Sequence, residues 1–220
     1  MAEHVATTDL GFNPEELRAK YRDERDKRLR ADGNDQYFEV TGDFSHYVDD
    51  PYIDAPLARE PIFDDVDVIV VGGGFGGLLT GARLTEAGMG RIRIIEKGGD
   101  FGGTWYWNRY PGAACDVESY VYLPLCEELN FVPKEKYTHA PEILAHSRAI
   151  GEKFNLYDYA CFQTEVEGMR WSEEDQRWTV TTNRGDSMTA KYVCMANGPL
   201  NRPKLPGIKG IDRYQGHTFH

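Results

Sequence analysis

Val66-Asp67-Val68-Ile69-Val70-Val71-Gly72-Gly73-Gly74-Phe75-Gly76-Gly77 is an apolar run that breaks into five glycines among six residues. The run predicts a buried strand, and the glycines predict a tight turn into a helix. Gly72 allows the turn, Gly74 leaves no Cβ between backbone and a pyrophosphate, and Gly77 lets the helix lie close to the sheet. The helix start would turn unpaired N–H groups and a positive dipole end toward phosphate. Leu78 to Ala87 continues as that helix, Gly88 and Gly90 end it, and Arg91-Ile92-Arg93-Ile94-Ile95-Glu96 supplies a second strand. Glu96 falls 19 residues beyond Gly77, where a carboxylate can accept hydrogen bonds from a ribose. Strand, turn, helix, strand and acid in this order predict a βαβ dinucleotide-binding unit.

Downstream, residues 98–116 are rich in glycine and aromatics and read as loop. Pro141 opens a helix to about Phe154, with Ile143, Leu144 and Ile150 as its buried positions. The period then changes to two. Thr164 to Trp171, Arg177 to Thr182 and Ser187 to Tyr192 read as strands joined by polar turns, and the last continues apolar to Ala196 before Asn197-Gly198-Pro199. An antiparallel meander as crossover favours FAD over NAD, whose domains usually cross over through helices. The expected fold class is α/β: a three-layer, Rossmann-like FAD-binding domain over residues 66–200, with residues 201–220 as a linker.

Upstream, residues 1–65 hold 17 acids against 8 bases, nine of the eleven net negative charges of the 220-residue chain. Residues 1–10 are expected to be disordered. Asn13-Pro14-Glu15-Glu16 is a helix start, with Asn13 as cap, Pro14 in the first turn and Glu16 completing a capping box. That helix is expected to reach about Arg30, with Leu17, Tyr21 and Leu29 on one face. Residues 31–65 carry Pro51, Pro56 and Pro61 and too few apolar residues for a core, so residues 1–65 read as a helical and irregular arm. The net charge of −11 argues against nucleic acid or an anionic membrane as partner. No apolar stretch approaches the roughly 20 residues of a membrane span. Met1 to Leu10 shows no secretory pattern. Cys115, Cys126, Cys161 and Cys194 form no CxxC pair and no metal spacing, which fits reduced thiols in a cytoplasmic protein.

The stretch Gly102-Gly103-Thr104-Trp105-Tyr106-Trp107-Asn108-Arg109-Tyr110-Pro111-Gly112-Ala113-Ala114-Cys115-Asp116 combines glycines for close backbone approach, rings able to wall a flat cofactor, and a carboxylate. Composition alone leaves open an aromatic loop that merely closes a core. The pattern of Gly102, Gly103, Trp105, Tyr110, Pro111, Gly112 and Asp116 resembles the flavin-side signature of type I Baeyer–Villiger monooxygenases. Tyr214, Gly216 and His220 resemble the start of their second fingerprint. Met195-Ala196-Asn197-Gly198 resembles the strand-end motif that returns the chain to FAD, with Asn where Thr or Ser is commoner. The resemblance covers about residues 60–220, and the arm resembles more weakly the extension of members acting on bulky ketones.

The resemblance implies FAD as cofactor, NADPH as hydride donor, O₂ as co-substrate, and a ketone converted to an ester or lactone. By position, Gly72, Gly74, Gly76 and Gly77 would hold the pyrophosphate and Glu96 the ribose. Gly103, Thr104, Trp105, Tyr106 and Trp107 would line the flavin, Tyr122 would contact the cofactor, and the Val166 backbone would meet the adenine end. Asp116, the one implied catalytic residue, would sit by the flavin and orient an arginine that stabilises the oxygenated cofactor. Ala114 stands where some members are basic. No second G-x-G-x-x-G follows, so NADPH is expected to be bound mainly by residues of a downstream domain or a second chain, and the 220 residues alone are expected to be inactive. A related monooxygenase oxidising nitrogen or sulfur, and a non-catalytic FAD-binding module, remain open at this point.

Overall fold

The computed structural model describes residues 11–200, 202–216 and 218. The N-terminal decapeptide and His220 of the second fingerprint lie outside the described residues. In chain order the elements are α1 (Pro14–Asp26), β1 (Tyr37–Glu39), β2 (Asp65–Val71), α2 (Phe75–Glu86), β3 (Ile92–Ile95), α3 (Thr104–Trp107), α4 (Ser119–Tyr122), α5 (Ala140–Lys153), β4 (Ala160–Cys161), β5 (Val166–Ser172), β6 (Arg177–Thr182), β7 (Ser187–Met195) and β8 (Lys204–Pro206). They fall into two compact units, residues 48–202 and the remainder.

The larger unit is built on a six-stranded sheet in the order β4-β3-β2-β7-β6-β5. The first four strands are parallel, with Val70 beside both Ile94 and Cys194, and β7, β6 and β5 continue antiparallel. This is the expected α/β class with the meander as crossover. Alternation along β2 sends Val68 and Val70 into a core with Leu78, Ala82, Ile94, Phe101, Ile150 and Leu156. Ile69 joins Ile95, Val180, Met188 and Ala190 in a second cluster. Gly81 on α2 lets Ile94 and Leu156 close in, since a Cβ there would meet their methyls at 3.0–3.2 Å.

In the smaller unit the Asn13 side chain accepts from the Glu15 and Glu16 amides, as expected of the cap. α1 stops at Asp26, short of Arg30, and none of its residues is buried. Tyr21 and Leu29 are exposed, so no packing extends the helix. β1 pairs antiparallel with β8, Phe38 opposite Leu205. Residues 201–220, expected as a linker, therefore contain a paired strand, β8. The loop 98–116 likewise contains a helical turn, α3. Among the described residues, no helix is long and apolar enough to cross a membrane, and no cluster of side chains could hold a metal ion.

Candidate functional site

The C-terminal ends of three parallel strands meet in one place: β2 runs into Gly72, β3 into Glu96 and β7 into Ala196. In open α/β sheets this edge is where ligands bind. Gly72 has φ +111°, which side chains rarely adopt, and an added Cβ would overlap the Ala196 carbonyl. Ala196 N–H in turn donates to Val71 O at 2.8 Å. A Cβ on Gly77 would overlap the Gly72 carbonyl oxygen, so α2 can start against the strand only with glycine there. α2 has Gly74 as its N-cap and no side-chain cap, which leaves the amides of its first turn without intrahelical partners.

The Gly102–Gly103 turn crosses this loop backbone to backbone. Gly102 N–H donates to Gly73 O at 3.0 Å, and a Cβ on Gly103, at φ +54°, would come within 2.7 Å of Gly74 Cα. Glu96 is buried. Gly73 N–H donates to its Oε2 at 2.6 Å and Gly98 N–H to its Oε1 at 2.7 Å. Burial pushes this carboxyl above the usual carboxylate range, while the two amides pull it down. Each oxygen keeps a further lone pair, so the carboxylate can still accept two hydroxyl donors. Thr164 N–H donates to Glu96 O at 2.9 Å, which brings the start of β5 and Val166 beside this end of the site.

The aromatic residues divide their work. The Trp105 indole N–H donates to Tyr122 Oη at 2.8 Å, and Tyr122 packs edge-on against Phe75, the first residue of α2. Burial raises the Tyr122 hydroxyl, the Trp105 bond lowers it, and the nearby charge of Asp116 adds to the rise. Asp116 is exposed, on the loop that leaves buried Cys115. Thr104 is exposed and Trp107 half-buried. Tyr106, by contrast, turns its hydroxyl to Asp50, donating at 2.7 Å to Oδ2. A cleft of about 430 Å³ opens beside Trp105, between residues 109–113 and His139, Ala140 and Pro141.

Sequence reasoning missed Asp50, Tyr52 and Arg109. Asp50-Pro51 signals a local turn, and the Asp50 side chain does accept from Tyr52 N–H at 2.9 Å. Nothing in the pattern signals that its other oxygen reaches the loop after Glu96.

A family model described as pyridine nucleotide-disulphide oxidoreductase matches residues 69–220. The Baeyer-Villiger monooxygenase ATR8 of Stachybotrys chlorohalonatus is 51% identical over 213 residues, 96% of this chain and 34% of that protein. The polycyclic ketone monooxygenase of Thermothelomyces thermophila superposes with a TM-score of 0.84 at 36% identity, over 94% of this chain and 36% of its own. The structure of OTEMO in complex with FAD and NADP superposes with a TM-score of 0.65 at 35% identity, over 70% of this chain and 30% of its own. The chain thus spans about a third of the length of the relatives it matches. It belongs to the pyridine nucleotide-disulphide oxidoreductase family, as a homologue of the N-terminal third of Baeyer–Villiger monooxygenases.

Proposed function

We propose that this chain is the FAD-binding portion of a flavin-dependent monooxygenase that converts ketones to esters or lactones with NADPH and O₂. The observation that carries the reading is the buried Glu96 carboxylate, held by Gly73 and Gly98 amides beside a glycine-on-glycine crossing no side chain can fill. Those features fit a dinucleotide: open backbone for the pyrophosphate and a fixed acceptor for the ribose. Bound FAD supplies a ring that takes a hydride from NADPH and delivers electrons to O₂. The chain's own part is to hold it. Gly72, Gly74, Gly76 and Gly77 let the loop and the start of α2 face the pyrophosphate. Glu96 accepts from the ribose, and the Val166 backbone meets the adenine end. Gly103, Thr104, Trp105 and Trp107 wall the flavin, with Trp105 fixed by Tyr122. Tyr106 contributes through its ring and backbone, since its hydroxyl is bonded to Asp50. Asp116, exposed next to this wall, is placed to orient a cationic group from outside residues 1–220.

Residues 66–200 are then the FAD-binding domain, residues 1–65 an N-terminal arm, and residues 201–220 a linker toward an NADPH domain. NADPH would be held mainly by residues of that further domain or of a second chain. Four free cysteines, two of them buried, suit a reducing, cytoplasmic setting.

The purified chain is expected to bind FAD noncovalently and to release it on mild denaturation. Charge-assisted hydrogen bonds contribute roughly 1.5–3 kcal/mol, so Glu96→Ala should weaken FAD binding about tenfold or more. Fluorescence titration and mass analysis of the released flavin check both. A folded chain that shows no flavin absorbance and cannot be reconstituted would overturn the proposal, and unchanged affinity in folded Glu96→Ala would move the ribose elsewhere. Product analysis of the full-length enzyme with a ketone and an amine tests the reaction, ester or lactone being expected and N-oxide alone refuting it.

A further inference from the structure

We propose that Asp50, outside the glycine fingerprint, is a positioning residue for the dinucleotide site: it holds the 98–99 turn that presents an amide to Glu96. The inference rests on reading Glu96 as the ribose acceptor. Asp50 Oδ1 accepts from Tyr52 N–H at 2.9 Å, and Oδ2 accepts from Gly99 N–H at 3.0 Å and from Tyr106 Oη–H at 2.7 Å. The preceding amide, Gly98 N–H, donates to Glu96 Oε1 at 2.7 Å. Two consecutive amides of one turn are thus divided between two carboxylates, one from the arm and one from the end of β3.

Packing explains why the turn is two glycines. A Cβ on Gly98 would lie 2.8 Å from the Tyr106 ring, and one on Gly99 would lie 2.5 Å from Ile53 Cγ2 and 2.8 Å from Tyr106 Oη. Only bare backbone lets Ile53 and Tyr106 close on the turn. The rest of the segment grips the loop further along. Tyr52 Oη donates to Trp107 O at 3.3 Å. The Arg109 guanidinium lies 3.7 Å from the Tyr52 ring centroid and 4.6 Å from that of Tyr106, and Arg109 Nε donates to Tyr106 O at 2.8 Å. Residues 50–53 therefore clamp one side of the loop that carries Trp105 and Trp107, while Glu96 secures its start. Without Asp50, the Tyr106 hydroxyl loses its acceptor, and the Gly99 amide keeps only that unanchored Tyr106 Oη, at 3.0 Å. The turn then keeps Gln163 N–H on its Gly98 carbonyl at 2.9 Å but loosens on its Gly99 side, which weakens one of the two amides that fix the plane of the Glu96 carboxylate.

The test is a double-mutant cycle on the full 220-residue chain, with FAD affinity read by fluorescence titration. Asp50→Ala should raise the Kd for FAD roughly tenfold, as Glu96→Ala does, and the double variant should be no weaker than the weaker single variant. Losses that multiply to about a hundredfold would show that Asp50 acts elsewhere and would overturn the proposal. A general loss of stability would also give multiplied losses, so the cycle separates positioning from folding. Should Asp50→Ala not fold, Asp50→Asn keeps the volume but has one oxygen where two accept, and the same cycle applies with smaller losses. A second arm needs no ligand. Amide hydrogen exchange at Gly98, bonded to Glu96 and not to Asp50, should speed up at least tenfold in either Asp50 variant; unchanged Gly98 protection refutes the proposal. If the unaltered chain binds no FAD, the proposed function fails, and Gly98 exchange still decides whether Asp50 holds the turn.

Discussion

Gly77→Ala should lower the thermal midpoint of the chain by roughly ten degrees and abolish measurable FAD binding. A Cβ at this position would overlap the Gly72 carbonyl oxygen and touch Val70 Cγ1 at 3.6 Å. The carbonyl belongs to the turn that ends β2 and cannot rotate freely, because the amide in the same peptide plane, Gly73 N–H, is bonded to the buried Glu96 Oε2 at 2.6 Å. α2 must lift off the strand instead, and with it Leu78 and Ala82, both fully buried. Overpacking of this kind costs about 3 kcal/mol, and each kcal/mol moves the midpoint of a chain this size by roughly 2–4 °C. Gly76→Ala is the control, since its Cβ would meet Ala196 Cβ at an ordinary 3.5 Å. That variant should melt close to the parent, so any loss of FAD there reports crowding at the ligand and not damage to the fold. A Gly77→Ala chain melting within a degree of the parent would show that the strand and helix are not in the contact described.

The second large effect is expected at Asp186, far from the glycines. Its carboxylate is fully buried and bidentate to Arg59, Oδ1 to Nη1 at 2.6 Å and Oδ2 to Nη2 at 2.7 Å. It also accepts from Ile62 N–H at 2.8 Å and Thr182 Oγ1 at 2.6 Å. Asp186→Ala leaves a guanidinium only 17% exposed without a counter-charge, along with two unpaired donors. Breaking a buried pair from one side costs about 3–5 kcal/mol, which urea titration would read directly. Replacing both partners by apolar residues of similar volume should restore much of the loss. A cost below about 1 kcal/mol for Asp186→Ala would refute the pairing. The acid limb gives an independent check. Arg59 holds the Asp186 carboxyl at about 2, below the ordinary 3.8. A depressed carboxyl stabilises the fold fully above the unfolded value, so roughly 2 kcal/mol should be present above pH 4 and be lost as pH falls through 2. Asp186→Asn should flatten that limb.

Much of this architecture was legible where a periodic pattern met a glycine or an acid. β2, α2 and β3 follow from Val66 to Glu96, and β6 has the bounds that alternation gave it, Arg177 to Thr182. The Gly-rich turns and Glu96 came together at one edge because sheet order converts sequence spacing into proximity. The misses share a different cause. β4 is two residues long, and α3 is a single turn of Thr-Trp-Tyr-Trp that only the packing of Trp105 and Tyr106 sustains. Tyr106 read as a ring for the flavin, yet its hydroxyl needs an acceptor when buried and finds Asp50, 56 residues earlier. Arg59 and Asp186 are 127 residues apart, and no local signal links them. Long-range polar partners are set by tertiary placement, which a single sequence does not encode as a period.

The order β3-β2-β7 also has a consequence in time. β2 gains its first neighbour within a few residues of α2, but its other edge must wait for β7, which starts at Ser187. During synthesis at roughly 5–20 residues per second, the Val66–Val71 edge stays open for on the order of ten seconds. An unpaired edge of valine and isoleucine is a template for pairing with another chain. The nascent protein is therefore most vulnerable to aggregation between the emergence of β3 and that of β7. Crowded translation, slow codons in that interval or a truncation before residue 187 would each lengthen the exposure. Soluble yield should then depend on how quickly the ribosome reaches β7 more than on the final stability of the fold.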